Sequence, residues 1–387
     1  MNVLDILLIA LAISAAMGGY RLGFIARATS WLGLALGVVL GALVLPRLLP
    51  KVQDASDVTI VMVAVGALVG TALIGQALGL VLGSRLHAEL PPGAARRTDQ
   101  VAGGFIGVVG VLIALWILLP TLADVPGWTS EQARSSVIAR EVSRTFPDPP
   151  DTLEALRSIV GDDPFPQVFD ALQPAPDVGA SPGASGLTPE LAEQVRLSTV
   201  KVEGRACDRI QEGSGFFVGD GLVATNAHVV AGEDDSTVEL ADGSTVDADV
   251  VAFDPDRDLA ILRVDGRGRP PLPLREGEVD DTGGAFGHPG GGPLEISPFR
   301  IGDRITAVGH DIYDAGRTRR EVLVLAADLA PGDSGAALVA PDGQVVGVAF
   351  AVAPDKPGVA YGLAVDELEA VLAGDLTRQR DTGGCLV

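Results

Sequence analysis

The chain has 387 residues, too many for one ordinary domain, and carries 50 acidic against 28 basic side chains for a net charge of −22. That balance argues against nucleic acid and against anionic lipid headgroups as partners, since both would be repelled. At 47% hydrophobic residues and a mean hydropathy of +0.35, the sequence is also too apolar for a typical soluble protein.

The apolar excess lies at the front. Val3–Gly19, Thr29–Leu45, Val58–Leu82 and Val101–Leu122 are four nearly uncharged runs, each close to the ~20 residues that cross a bilayer. They predict a bundle of four transmembrane helices over residues 1–123, in contact with lipid. Asp5 stands where a signal peptide carries basic residues, so the first run reads as a retained helix and not as a leader. Arg21 and Arg27 follow the first run and Arg85, Arg96 and Arg97 follow the third, against Arg47 and Lys51 after the second. By the positive-inside rule the first and third loops are cytoplasmic, and everything after Leu122 is outside the membrane. Gly33, Gly37 and Gly41, and Gly75, Gly79 and Gly83, repeat at the spacing that lets helix backbones touch in lipid, although a chain with 49 glycines shows this spacing often. Asp5 and Gln76 are isolated, so no ionisable group marks a transport path.

Between residues 124 and 188 the character changes. Ser130–Phe146 and Thr152–Val160 are short amphipathic stretches broken by Pro147, Pro149, Pro150, Pro164 and Pro166, which reads as a helical stalk. Pro174–Thr188 is rich in Pro, Gly, Ala and Ser and reads as a flexible linker, a place where self-cleavage would fall.

From residue 189 to 387 short β-type runs recur between turn signals: Ser214–Val218, Leu222–Thr225, Thr237–Leu240, Thr245–Phe253, Ala260–Val264, Arg300–Val308, Glu321–Leu325, Gly335–Val339 and Gln344–Val352. Many short strands without intervening helices predict an all-β barrel or sandwich, closed by an amphipathic helix over Val365–Leu372. Glu233-Asp234-Asp235 reads as a solvated acidic loop, and no cluster has metal-ligand spacing, so neither a metal nor a cofactor is implied. His87 and His310 read as solvated.

Ser334 lies within Gly332-Asp333-Ser334-Gly335. A serine hydroxyl attacks a carbonyl only where a base takes its proton and N–H groups hold the oxyanion. The flanking glycines let the backbone at Gly332, Asp333 and Ser334 form such an oxyanion hole without side chains in the way. Upstream, Thr225-Asn226-Ala227-His228-Val229-Val230 supplies a histidine and Asp258-Leu259-Ala260 an aspartate. The chain order His228, Asp258, Ser334, preceded by Gly213-Ser214-Gly215-Phe216, resembles the trypsin-like serine proteases. That resemblance implies a chymotrypsin-like double β-barrel, with His228 and Asp258 on the first barrel and Ser334 on the second. It also puts Asp328, six residues before Ser334, where these enzymes place the floor of the S1 pocket. The alternative for Asp328 is a loop hydrogen bond.

The apolar, glycine-rich front resembles the colicin-V-production membrane family. The whole arrangement resembles the membrane-anchored acid-resistance protease family (MarP) of mycobacteria and other actinobacteria, matched through the segments at His228, Asp258 and Ser334 and through His288-Pro289-Gly290-Gly291-Gly292-Pro293. Gly335-Ala336 departs from the usual Gly-Gly after the serine. The resemblance implies a serine endopeptidase of the periplasmic side acting on cell-envelope proteins, cell-wall hydrolases among them, under acid or oxidative stress. It places His288 in a structural or substrate-side turn. Cys207 and Cys385, the two cysteines, both fall in the part read as exported, where a disulfide is allowed and free thiols are the alternative. The resemblance implies a bridge between them. Two other readings remain open at this level: an inactive trypsin-fold module for envelope binding or signalling, and a membrane transporter with an external regulatory domain.

Overall fold

The first two apolar runs lie on one helix. α1 (Val3–Leu48) departs from helical geometry only at Gly23 (φ 82°, ψ 165°), a backbone conformation that glycine adopts at little cost. α2 (Asp57–Ala88) and α3 (Ala94–Asp124) follow. The computed structural model describes residues 1–48, 57–124, 127–147, 174–206, 209–265 and 269–386. Among these residues three helices, not the predicted four, are long and apolar enough to cross a membrane. The count fails because Arg21 and Arg27, read as loop residues between two crossings, are helical residues on either side of Gly23.

The glycine rows are used within the chain. A Cβ on Gly33 would collide with the Gly75 carbonyl, one on Gly37 with the Thr71 carbonyl, and one on Gly79 with the Thr29 carbonyl. α1 and α2 therefore pack antiparallel with their backbones touching, which only this spacing allows. Gly103 and Gly107 of α3 lie in the same way on Gly19 and Ala15.

Two polar groups of this part are not as the sequence suggests. Asp5 is fully buried rather than isolated: it accepts the Ser136 hydroxyl at 2.6 Å and the Ile138 N–H at 3.1 Å, and so caps α5 (Val137–Thr145). His87 is buried rather than solvated and is hydrogen-bonded to Asp99 at 2.6 Å. The other Asp99 oxygen accepts the Ile25 N–H at 3.0 Å, which satisfies a backbone donor left over where α1 restarts after Gly23. Residues 1–119 with 136–146 form one compact unit, and 120–135 with 147–387 form a second.

The second unit opens with α4 (Trp128–Ser135). The stretch Thr152–Val160 lies outside the described residues. Pro174–Thr188 does not behave as a free linker: Val178 is buried against Gly302, Ala175 N–H donates to Asp355, and Leu187 packs over Gly284. Short apolar side chains and a few backbone bonds hold it as a strap, which composition alone does not reveal. α6 (Pro189–Arg196), capped by the Thr188 hydroxyl, leads into the strands.

β1 (Thr199–Ala206), β2 (Arg209–Gly219), β3 (Leu222–Thr225), β4 (Glu233–Glu239), β5 (Thr245–Asp254) and β6 (Leu259–Val264) close a barrel in the order β1-β2-β3-β6-β5-β4. β7 (Thr282–Gly287), β8 (Glu295–His310), β9 (Arg317–Ala327), β10 (Ala337–Val339), β11 (Val345–Val352) and β12 (Val359–Ala364) close another in the order β10-β11-β12-β9-β8-β7. A single helical turn, α7 (Ala227–Val230), follows β3, and α8 (Val365–Leu372) follows β12.

Alternation of side chains along a strand explains why these strands are apolar on both faces. Phe217, Leu262 and Val250 point into the first barrel and Leu323, Leu325 and Phe299 into the second. Their neighbours Phe216, Ile261, Val322, Val324 and Phe286 share a third cluster on the outer faces of both barrels. Each fully buried Phe or Ile contributes about 2–3 kcal/mol by removal from water. The seam is thus a core in its own right.

Candidate active site

His228 sits on α7, directly after β3, and Asp258 in the turn between β5 and β6. Asp258 has φ 58°, in the left-handed region that aspartate tolerates better than most residues. Its fully buried carboxylate accepts the His228 N–H at 2.9 Å and faces Nδ1 of the same ring at 2.8 and 3.0 Å. The Asn226 side-chain amide donates to the Asp258 carbonyl at 2.8 Å, fixing the turn. A carboxylate on Nδ1 holds the tautomer that carries its proton there and leaves a lone pair on Nε2.

Ser334 is brought to the same place by the second barrel. The Ser214 N–H of β2 donates to the Ser334 carbonyl at 2.7 Å. A Cβ on Gly213 would stand 2.6 Å from the Val229 side chain and 3.2 Å from the Ser334 carbonyl, so the residue after His228 and the serine flank one glycine. Ser214 also donates its hydroxyl to the Gly332 carbonyl at 2.7 Å and accepts the His288 N–H at 2.9 Å. Gly332 (φ 96°) and Gly335 (φ 85°) have a handedness that other residues rarely adopt. The N–H groups of Gly332 and Ser334 donate to no protein acceptor among the described residues, whereas the Asp333 N–H is used by the Ala330 carbonyl at 3.0 Å. The N–H groups of Gly332 and Ser334 are therefore open to an outside acceptor. Asp333, included in the sequence reading, is corrected to a turn-forming residue.

Other candidates fall elsewhere. His288 is half-buried, burial lowers its pKa, and its ring faces the Gly292 carbonyl at 2.9 Å, closing the Pro289–Gly291 turn. Asp328 is exposed and accepts the Ser181 hydroxyl of the strap at 2.7 Å. His310 is ion-paired with Asp314, not simply solvated. Glu233 is buried at the start of β4, against the loop reading, and burial raises its pKa to about 7. Among the described residues no group of side chains is arranged to hold a metal ion. Cys207 lies outside the described residues; Cys385 adjoins Gly232, next to Glu233, which pairs with Ala206.

Sequence reasoning misses Ser214, Asn226 and Arg320. Arg320 of β9 is buried and donates to the Asp256 carbonyl at 2.7 Å, supporting the turn that ends at Asp258 from the other barrel. Its one readable signal is an arginine in a β-run, which looks like a surface residue.

Asp333 carries a titration of its own. One oxygen accepts the Ala330 N–H at 2.9 Å, but the carboxyl is buried, with Glu295 rather than a cation nearby, and its pKa rises to about 6 from 3.8. The folded state then holds this proton more tightly than the unfolded state. Stability from this group is full below pH ~4 and is lost as pH rises through ~6. Melting curves of Asp333→Asn against the parent between pH 4 and 7 are expected to show the parent losing on the order of 2–3 kcal/mol that the variant keeps. Parallel profiles would remove Asp333 as the titrating group.

Comparison with known proteins agrees with this geometry. Residues 213–348 match the model of the trypsin-like peptidase domain and residues 4–147 that of the colicin V production protein. Serine protease Rv3671c of Mycobacterium tuberculosis is 32% identical over 99% of this chain and 98% of its own length. The putative serine protease HhoA of Synechocystis is 32% identical over 41% of this chain and 42% of its own. The crystal structure of the Rv3671c protease in its active form covers 59% of this chain and all of its own, at 34% identity and a TM-score of 0.53. The chain belongs to the family of the mycobacterial serine protease Rv3671c: it is a serine endopeptidase with a trypsin-like catalytic domain behind apolar helices that fit a membrane anchor.

Proposed function

We propose that Ser334 is the nucleophile, His228 the general base and Asp258 the group that orients it, in a chymotrypsin-like double barrel on the outer side of the membrane. The observation that carries this reading is the pair of Asp258 bonds to one histidine, to its N–H and to its Nδ1, beside a serine locked at Ser214. Nε2 of His228 takes the hydroxyl proton as Oγ of Ser334 bonds to the scissile carbonyl carbon, and the oxyanion lies between the N–H groups of Gly332 and Ser334. The same proton passes to the leaving amine as the peptide bond breaks, and water then releases the acyl group by the reverse path. An extended substrate adds as a strand to the edge of β11 beyond Ala349, where the Gly335 N–H reaches the Ala349 carbonyl at 2.8 Å and sets that edge next to Ser334.

Ser334→Ala is expected to abolish labelling by a fluorophosphonate probe and to lower kcat by roughly 10⁶, with Asp258→Asn costing roughly 10⁴. Full peptidase activity of Ser334→Ala would overturn the assignment.

With Arg21 and Arg27 inside α1, the charges that still support an extracytoplasmic catalytic domain are Arg85, Arg96 and Arg97 around the α2–α3 connection, against Arg47 and Lys51 around the α1–α2 connection. The family resemblance points to cell-envelope proteins, cell-wall hydrolases among them, cleaved under acid or oxidative stress. Alkaline phosphatase fused after Asp124 is expected to be active and one fused after Arg97 silent; the reverse pattern would place the domain in the cytoplasm. The place of Cys385, beside the end of β1, supports a bridge to Cys207 that ties the C-terminus to the first barrel. Non-reduced peptide mapping is expected to recover the crosslinked pair, and alkylation of both thiols in the oxidised protein would exclude it.

A further inference from the structure

The chain ahead of the two barrels grips the loop that follows β11. This loop, residues 353–358, returns as β12, and the Ala353 N–H closes it on the Val359 carbonyl at 2.9 Å. It lies across from Asp328: the Ala327 N–H donates to the Gly358 carbonyl at 3.0 Å, and a Cβ on Gly358 would stand 3.5 Å from the Asp328 carboxylate. Residues 328–334 lead into Ser334, and β11 is bonded beside it through the Gly335 N–H and the Ala349 carbonyl at 2.8 Å, so on the endopeptidase reading the substrate side chain next to the scissile bond enters between these two segments. The loop and Asp328 stand at the ends of these two segments farther along the chain from Ser334.

Three elements from upstream hold the loop and Asp328. The Gly127 N–H, just before α4, donates to the Pro354 carbonyl at 3.0 Å. Arg134 of α4 pairs with Asp355 at 4.0 Å, both side chains being largely buried, and the Ala175 N–H of the strap donates to the other Asp355 oxygen at 2.9 Å. Farther along the strap Asp177 pairs with Lys356 at 2.9 Å and the Ser181 hydroxyl reaches Asp328 at 2.7 Å. Buried Tyr361 of β12 stands beside Asp355 and Arg134. A buried aspartate side chain on a connecting loop is costly unless its partners are in place, so Asp355 makes the loop conformation depend on α4 and the strap.

We propose that Asp355 is a specificity-positioning residue through which α4 and the strap, both outside the barrels, set the shape of the pocket for the residue preceding the scissile bond. The proposal rests on the endopeptidase reading above. It assigns α4 and the strap to the substrate site, and it makes binding, not the chemical step, depend on them.

The test uses the full chain in detergent. Asp355→Ala, Arg134→Met and Arg134→Lys are compared with the parent for the rate of fluorophosphonate labelling, for KM and kcat on a peptide library, and for hydrogen exchange of residues 353–358. Asp355→Ala and Arg134→Met are expected to raise KM about tenfold, to alter the preferred residue before the cleaved bond, and to speed exchange in the loop. Labelling by the small probe should stay within about twofold, and Arg134→Lys should restore much of the KM. Should Asp355→Ala fail to fold, Ser181→Ala and Lys356→Ala carry the same expectation with smaller shifts. Unchanged KM, preference and exchange in the folded variants would overturn the proposal. Loss of labelling together with kcat would also overturn it, by placing Asp355 in support of the triad. A parent that neither labels nor cleaves would instead sink the endopeptidase reading, and the exchange measurement would still decide whether Asp355 holds the loop.

Discussion

Ser214 is the point at which the two barrels become one site. Its N–H holds the Ser334 carbonyl, its hydroxyl spans the Gly332 carbonyl and the His288 N–H, and its own carbonyl accepts the Thr225 hydroxyl at 2.7 Å, three residues before His228. One residue of β2 therefore fixes the Ser334 loop against the strand that leads to His228. None of these bonds is exceptional in strength, each being worth about 1 kcal/mol net. Their value is geometric, since side chains carried by two barrels keep their relative positions only if the barrels cannot slide.

The glycines around this point serve the same constraint from the other side. A Cβ on Gly335 would collide with the Ser214 carbonyl, one on Gly287 with the Asp333 carboxylate, and one on Gly291 with the Glu212 carboxylate. Where side chains are excluded, backbones can approach closely enough to bond directly, and the oxyanion donors of Gly332 and Ser334 stay open to a substrate. The methyl of Ala336, in place of a second glycine, is fully buried and joins the second barrel's core.

How much of this is legible in the sequence depends on whether a residue's role is local. The nine β-runs are strands because short apolar runs bounded by turn residues are a local signal, and His228, Asp258 and Ser334 stand out by their neighbours in the chain. β7 escapes notice because Thr-Gly-Gly-Ala-Phe-Gly has little β propensity; its glycines exist to carry Leu187 and Asp333, which come from elsewhere in the chain. Ser214 and Arg320 escape for the same reason, because their partners are remote. The strap resembles a linker because Pro, Gly, Ala and Ser are as fit for lying flat on a barrel as for swinging free, and composition cannot separate the two. In the membrane part the charge pattern places Arg21 and Arg27 at a real interruption of the helix, but the break is confined to Gly23 and the helix continues on both sides of it.

The distribution of buried acids bears on the conditions the catalytic unit tolerates. Glu233 and Asp333 are both buried, and burial raises both, to about 7 and about 6. In each the folded state binds the proton more tightly than the unfolded chain, so these two groups oppose the usual loss of stability in acid, in which paired carboxylates must give up their partners. The sequence beyond residue 123 adds a net charge of −24, which acidification also discharges, relieving self-repulsion. Glu233 and Asp333 thus offset part of what carboxylates held low by cations, such as Asp281 beside Arg275, lose on acidification.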